Sequence, residues 1–312
     1  MPASPSLTDK AATFDTLGTQ IWNAATNLIR EDEDESDPRM KRKGITALAT
    51  TLRVFAFLLI DTAHQSLSKH SKDGERQLRV LKTGLKTARF CLNKNSLELA
   101  LKVLERCSDY VTAAEEAEPI LHLAQDLNST SADLQTSIKH LVTEYYLLRT
   151  TYAWRSSRFD VAAYFGAKIS NEDPTLCADL AEKAADLFHE AGKSFTSQNM
   201  TEQAIAWCER AIKALDAHNL EELSPHAVDL RFSVTATLID TLLCCDDTAS
   251  FERSASLLRR LEEEFGLGNR MAVSLMRFKL LTFKPPVDAE QLEGVLRHMI
   301  RLVVLTDQNF RM

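Results

Sequence analysis

The sequence predicts an all-α protein, and three observations carry that expectation. Helix breakers are scarce: nine glycines and eight prolines in 312 residues, about 5% where an average protein has about 12%. Leucine (44) and alanine (36) make up about a quarter of the chain, and both lose little side-chain freedom in a helix. Apolar residues recur at steps of three and four almost throughout, and the period-2 alternation of a half-buried strand is almost absent. A β-sandwich would need more turn residues. Collagen-like and Pro/Gly-rich disordered classes are excluded, and a hydrophobic content of 45% suffices for a continuous core.

The elements follow in order. A first helix runs from about Thr8 to Arg30, after a disordered N-terminus at 1–7. Six acids from Glu31 to Asp37 and four bases from Arg39 to Lys43 then form a charged loop at 31–43, because blocks of like charge repel and stay solvated. The next helix carries Ile45, Leu48, Leu52, Phe55 and Leu59, a stripe that predicts its buried face. Helices follow from about Arg76 to Leu92 and from Ser96 to about Ala114, with Pro119 and the run 128–131 bracketing a short one. From Asp133 the stripe Leu134, Ile138, Leu141, Tyr145, Leu148 and Tyr152 is strong, and another helix spans Phe159 to Ile169. Asp173-Pro174 reads as an N-cap with proline in the first turn of a helix ending near Ser197. Ser224-Pro225 repeats the device before Val228, Phe232, Thr235, Ile239 and Leu242. Further helices fit 248–265, 269–281 and 288–305, the last opened by Asp288 with Gln291.

Many helices with short connections suggest stacked antiparallel pairs. In one stretch, Phe188, Gly192 and Phe195 are followed by Ala204, Cys208 and Ala211, with Asn199 ending the turn between. This is the tetratricopeptide (TPR) pattern: small residues where two helices cross closely, large ones in the gaps between pairs. The turn glycine and final proline of that pattern are absent. Two weaker copies fit the same frame. One has Ala88, Cys91, Asn95, Ala100, Leu104 and Cys107; the other has Tyr146, Ala153, Ser157, Ala162 and Ile169, with Gly166 where a bulky residue belongs. The anchor alanines fall at 100, 162 and 204, wider than the regular repeat of about 34 residues. The reading is a right-handed α-solenoid of divergent TPR-like hairpins, a single repeat domain over 8–305 with a tail at 306–312.

The formal charge is −7 and the pI about 5.7, a balance that does not attract phosphate backbones; direct nucleic-acid binding is not expected. No basic-then-apolar leader opens the chain and no apolar run reaches about 18 residues, so no membrane partner is expected. Phosphate-loop, dinucleotide, zincin, nucleophile-elbow and EF-hand motifs are all lacking. Gly266-Leu267-Gly268 reads as a helix end. The eight histidines do not pair at metal-ligand spacing. Six cysteines, none in a C-x-x-C pair, read as reduced core thiols; Cys244-Cys245 reads as one buried and one half-buried thiol. Trp22, Trp154 and Trp207 read as packing residues. No catalytic, cofactor or metal residues are assigned. An adaptor that captures peptide segments would need a row of Lys, Arg and Asn on one face; Arg149, Arg155 and Arg158 are candidates, though sequence does not place them together. Such a general TPR adaptor of cytosolic partners is the alternative reading.

Taken in order, Ile21 to Leu28 (IWNAATNL), Arg53 to Ala63 (RVFAFLLIDTA), the stretch YYLLRTTYAWRSSRFDVAAYFGAK and the repeat from Phe188 to Ala211 resemble the N-terminal part of the meiosis-specific Zip-four/Spo-twenty-two family of tetratricopeptide pro-crossover proteins. The resemblance covers about 15–215. It implies a non-enzymatic scaffold on meiotic chromosomes in the nucleus, bridging recombination and chromosome-axis proteins and supporting synaptonemal complex assembly. It supplies no catalytic residues or cofactors. The basic cluster Arg39 to Lys43 fits nuclear import. Family members are typically much longer, so the resemblance also implies that the end at Met312 is truncated.

Overall fold

The computed structural model describes residues 7–34, 44–68, 74–124, 129–172, 177–219, 221–245, 247–265, 270–283 and 288–302. Among them every regular element is a helix: α1 (Leu7–Asp34), α2 (Ile45–Ser68), α3 (Gly74–Asn93), α4 (Leu97–Ala124), α5 (Ser129–Arg155), α6 (Phe159–Glu172), α7 (Ala178–Ser197), α8 (Thr201–Asp216), α9 (Pro225–Leu243), α10 (Thr248–Phe265), α11 (Arg270–Phe283) and α12 (Ala289–Leu302). The chain divides into two compact units, Met1–Glu172 and Asp173–Met312.

In the first unit, α1 pairs with α2, α3 with α4 and α5 with α6, and α3 also packs against α5. Phe57, Leu81, Leu85, Leu92 and Leu104 are fully buried in its core, each stabilising the fold by about 1.5–3 kcal/mol through burial. In the second unit α7 pairs with α8, α9 with α10 and α11 with α12, while α9 packs against both α7 and α11. Phe188, Phe195, Leu180 and Leu215 fill the first of these layers; Ile239, Leu258, Leu261 and Phe265 fill the next. Hairpin follows hairpin in both units: first helices meet at α3–α5, α7–α9 and α9–α11, while α2 packs on α3 and α4. This is an all-α helical-repeat fold.

Three hairpins close with the same turn. Asn95, Ser157 and Asn199 hold φ of 54°, 57° and 59°, the left-handed region that ends many helices. In each, the next residue donates its N–H to the carbonyl five back: Ser96 to Cys91 (2.8 Å), Arg158 to Ala153 (2.9 Å) and Met200 to Phe195 (2.9 Å). That same residue's carbonyl then accepts from Ala100, Ala162 and Ala204, starting the second helix. The spacing between anchor alanines varies, but the turn does not. Serine tolerates this φ less well than asparagine. Ser157→Gly is therefore expected to raise stability by about 0.5–1 kcal/mol, read as a higher urea midpoint; a lower midpoint would contradict the turn assignment.

The hairpins cross where the sequence places small residues. A methyl group on Gly192 would sit 2.6 Å from Cys208 Sγ. One on Gly84 would overlap Cys107 Sγ and lie 2.8 Å from the fully buried Phe57 ring of α2. Gly18 lets α1 approach Ala56 and Ile60 of α2 equally closely.

Four local expectations are corrected. The stripe Leu48 to Leu59 is not the buried face of α2: Leu48 is 52% and Phe55 51% exposed, while Ala49, Ala56 and Ala63 are buried with Val54, Phe57 and Ile60. The middle of this helix is apolar all round, so periodicity cannot choose a face; the small residues at steps of seven decide it by letting α1 come close. Residues Ile45–Ser66 are long and apolar enough to cross a membrane by length and composition, yet α2 packs on α1, α3 and α4 as a core helix. Helix α1 continues to Asp34, into the stretch expected to be loop, and α4 runs unbroken through Pro119 to Ala124; a proline forfeits one ladder bond without necessarily ending a helix. Helix α7 starts at Ala178, with Cys177 as an extended N-cap, while 173–176, including the Asp173-Pro174 device, lie outside the described residues. Ser224 does cap α9: its hydroxyl accepts from Ala227 N–H at 3.2 Å, with Pro225 in the first turn. Asp288 likewise accepts from Glu290 and Gln291 N–H at 3.1 Å.

Candidate interaction surface

The chemistry-bearing residues go mostly into structure. Among the described residues no three of His, Cys, Asp and Glu are grouped to hold a metal. Cys91, Cys107 and Cys208 are core thiols; Cys177 and Cys244 are exposed and Cys245 half-buried. The vicinal pair therefore corrects the expectation of one buried thiol: it sits at the C-cap of α9 and not inside a helix. Burial pushes the Cys91 thiol up to about 11 and the Cys208 thiol up to about 12, which makes both inert near neutral pH. His189 is buried against Thr237, Nε2 to Oγ1 2.9 Å. Burial, with Lys193 nearby, lowers its pKa.

The arginine and aspartate of the RVFAFLLID stretch hold unit 1 together. Arg53 stacks over Phe90 at 4.2 Å and Trp22 at 5.3 Å and donates to Thr26 Oγ1 at 3.2 Å, tying α1, α2 and α3. Asp61 has no exposed surface. It accepts from Arg106 Nε at 2.9 Å, Tyr110 OH at 2.6 Å and Gln65 Nε2 at 3.2 Å. Burial and the adjacent carboxylate push the Tyr110 hydroxyl upward, so it stays a donor. In unit 2 a polar pocket of about 630 Å³ beside Asp216, Arg231 and Arg260 is neutralised from within: both arginines pair with Asp216 and Glu264.

The three candidate arginines separate. Arg149 lies over the Phe165 ring at 4.9 Å, Arg158 is exposed beyond the turn, and Arg155 donates to the Leu92 carbonyl at 2.5 Å. The tryptophans pack, Trp207 on Phe188 and Trp154 on Phe159. The Arg39–Lys43 cluster, Gly266-Leu267-Gly268 and 303–312 lie outside the described residues.

Arg155 leads to a surface that the sequence reading missed. Along α3, Arg79, Lys82, Lys86, Arg89 and Asn93 follow at steps of 3, 4, 3 and 4, which places them on one face. The opposite face carries the buried Val80, Leu81, Gly84, Leu85, Ala88, Cys91 and Leu92. Arg79 reaches Asp15 of α1 at 3.3 Å, and Arg89 pairs with Glu144 of α5. Lys82 and Lys86 are exposed and make no ion pair among the described residues. The missed signal was legible: a basic period of three to four inside a stretch read only for its apolar positions.

A family model described as "Meiosis protein SPO22/ZIP4 like" matches residues 152–312, just over half of the chain. The chain belongs to that family. The match begins within α5, so IWNAATNL and RVFAFLLIDTA lie outside it, while the repeat from Phe188 to Ala211 lies inside. No curated protein matches the chain. A solved structure described as "Computational Design of Self-Assembling Cyclic Protein Homooligomers" aligns with 93% of this chain and 93% of its own at 14% identity, with a TM-score of 0.21, too low to carry an argument. Membership gives the protein a meiosis-related role.

Proposed function

We propose that this SPO22/ZIP4-like protein is a non-enzymatic scaffold for protein–protein interactions in meiotic recombination. It promotes crossover formation and synaptonemal complex assembly, and so chromosome synapsis, from meiotic chromosomes in the nucleus. It works through other proteins, recombination and chromosome-axis factors, without a cofactor, a membrane or direct contact with nucleic acid. The observation that carries this reading is the family match over residues 152–312, falling on helical hairpins in which Arg231 and Arg260 pair with Asp216 and Glu264 and His189 is buried against Thr237. Such hairpins offer extended faces for docking.

The test is a strain lacking the gene. It should form fewer crossovers and synapse its chromosomes poorly. Normal crossover numbers in that strain would defeat the proposal.

A further inference from the structure

We infer that the outward face of α3 binds an acidic peptide segment of a partner protein. This rests on the scaffold reading and adds the chemistry of one partner and the place where it docks.

The row from Arg79 to Asn93 is about 20 Å long at the helical rise. An extended peptide of six or seven residues covers that length, with alternate side chains on one side. Acidic groups at alternate positions would meet successive bases, within the reach of long flexible side chains. Asn93 is exposed at the end of the row, and its amide can both donate to and accept from a peptide backbone.

The face is more than an ordinary solvated helix surface. The first unit carries 22 bases and 22 acids, so it has no general positive charge. Locally, however, among the described residues Arg79, Lys82, Lys86, Arg89 and the neighbouring Arg155 pair with only two acids, Asp15 and Glu144. Arg155 donates to a main-chain carbonyl and not to a carboxylate in that bond. Lys82 and Lys86 stand one turn apart on the same face, an arrangement that destabilises a helix slightly and returns nothing to the fold. A ligand with carboxylates at this spacing supplies the missing compensation and is drawn in by the local field.

The geometry favours a peptide over a nucleic-acid duplex. Asp15 on the α1 side and Glu144 on the α5 side flank the row. A duplex is wider than one helix face, and its outer phosphates would meet these carboxylates. A single extended chain lies between them.

The experiment uses the whole chain and a fluorescein-labelled octapeptide alternating aspartate and alanine, followed by fluorescence anisotropy at low salt. The peptide is expected to bind, and its asparagine counterpart is not. Lys82→Glu combined with Lys86→Glu should weaken binding by roughly tenfold or more, two lost ion pairs plus new repulsion. Arg259→Glu, an exposed reversal on α10, should leave it within about twofold, since that residue is no part of the row. All of these residues are exposed, and circular dichroism melts confirm that the variants fold alike. Undetectable binding, or an unchanged affinity in the double variant, overturns the inference. So does duplex DNA of equal charge that binds more tightly and loses affinity in the same variant. Failure here alongside crossover loss in the null strain removes this site and leaves the scaffold standing; peptide binding alongside normal crossovers does the reverse.

Discussion

Asp61→Ala is expected to destabilise the first unit by about 3–5 kcal/mol, the range for breaking a buried ion pair from one side. The carboxylate is fully buried and accepts from three side chains: Arg106 and Tyr110 of α4, and Gln65 one turn further along α2. Alanine leaves the Tyr110 hydroxyl and the Arg106 Nε–H facing a small void. Because the Arg106 side chain is 42% exposed, part of its charge regains water, which sets the loss nearer the lower end. Tyr110→Phe removes one donor and leaves the ion pair, so it should cost about 1 kcal/mol. Asp61→Asn keeps an acceptor for Tyr110 and should fall between the two. Urea unfolding followed by circular dichroism ranks the three. If Asp61→Ala costs no more than Tyr110→Phe, the cluster does not lock α2 to α4.

That cluster shows where sequence reading works and where it stops. The stretch Arg53 to Ala63 stands out as an arginine, an apolar run and an aspartate, but nothing in it reveals that Arg53 reaches back to Trp22 and Thr26, or that Asp61 reaches forward to Arg106. Those partners lie 27 and 45 residues away, and only the stacking of hairpins brings them close. The same limit explains α2. Its centre is apolar on every side, so spacing gives two answers, and the close approach of Gly18 selects the alanine face. Along α5 the expected stripe is buried at Ile138, Leu141, Tyr145 and Leu148, but Val142, Tyr146 and Leu147 beside it are buried too.

Turns and crossings were the most legible features. Asn199 ends a turn in the repeat frame, and its two weaker counterparts, Asn95 and Ser157, adopt the same left-handed backbone. The reason is physical: a sharp reversal between antiparallel helices needs one residue at positive φ, and small polar residues reach it at least cost after glycine. The interaction face was less legible because charge on a helix usually means only solvation. The row on α3 acquires meaning when the neighbouring acids are counted, and the count requires knowing that Asp15 and Glu144 are its neighbours. The family match covers the second unit fully and only the end of the first. The α3 face therefore lies outside the matched residues, and its chemistry has to be argued from its own side chains.

The hairpin crossings allow a sharper test. Gly192→Ala is expected to cost about 1–3 kcal/mol, the range for overfilling a packed site, although alanine itself favours the helix by about 0.5–1 kcal/mol. The added methyl group has one close neighbour, Cys208 Sγ at 2.6 Å; the next atoms lie at 3.6 Å, in ordinary contact. Cys208→Ala removes that sulfur and alone should cost about 1 kcal/mol in lost burial. The double variant should then unfold within about 1 kcal/mol of the parent, because the clash is gone and the helix gain offsets the lost sulfur. The coupling between the two substitutions should be favourable and exceed about 1 kcal/mol. The corresponding pair in unit 1 behaves differently. At Gly84 the new methyl group meets Cys107 Sγ but also the Phe57 ring, at 2.8 and 3.0 Å, and Phe57 is fully buried with little room to move. Cys107→Ala should therefore rescue Gly84→Ala only in part. Equal rescue in both hairpins would mean that Phe57 yields as easily as a thiol, and that α2 does not wedge against the α3–α4 crossing. Unequal rescue shows that the early hairpin is locked by a third helix where the later one is locked by two.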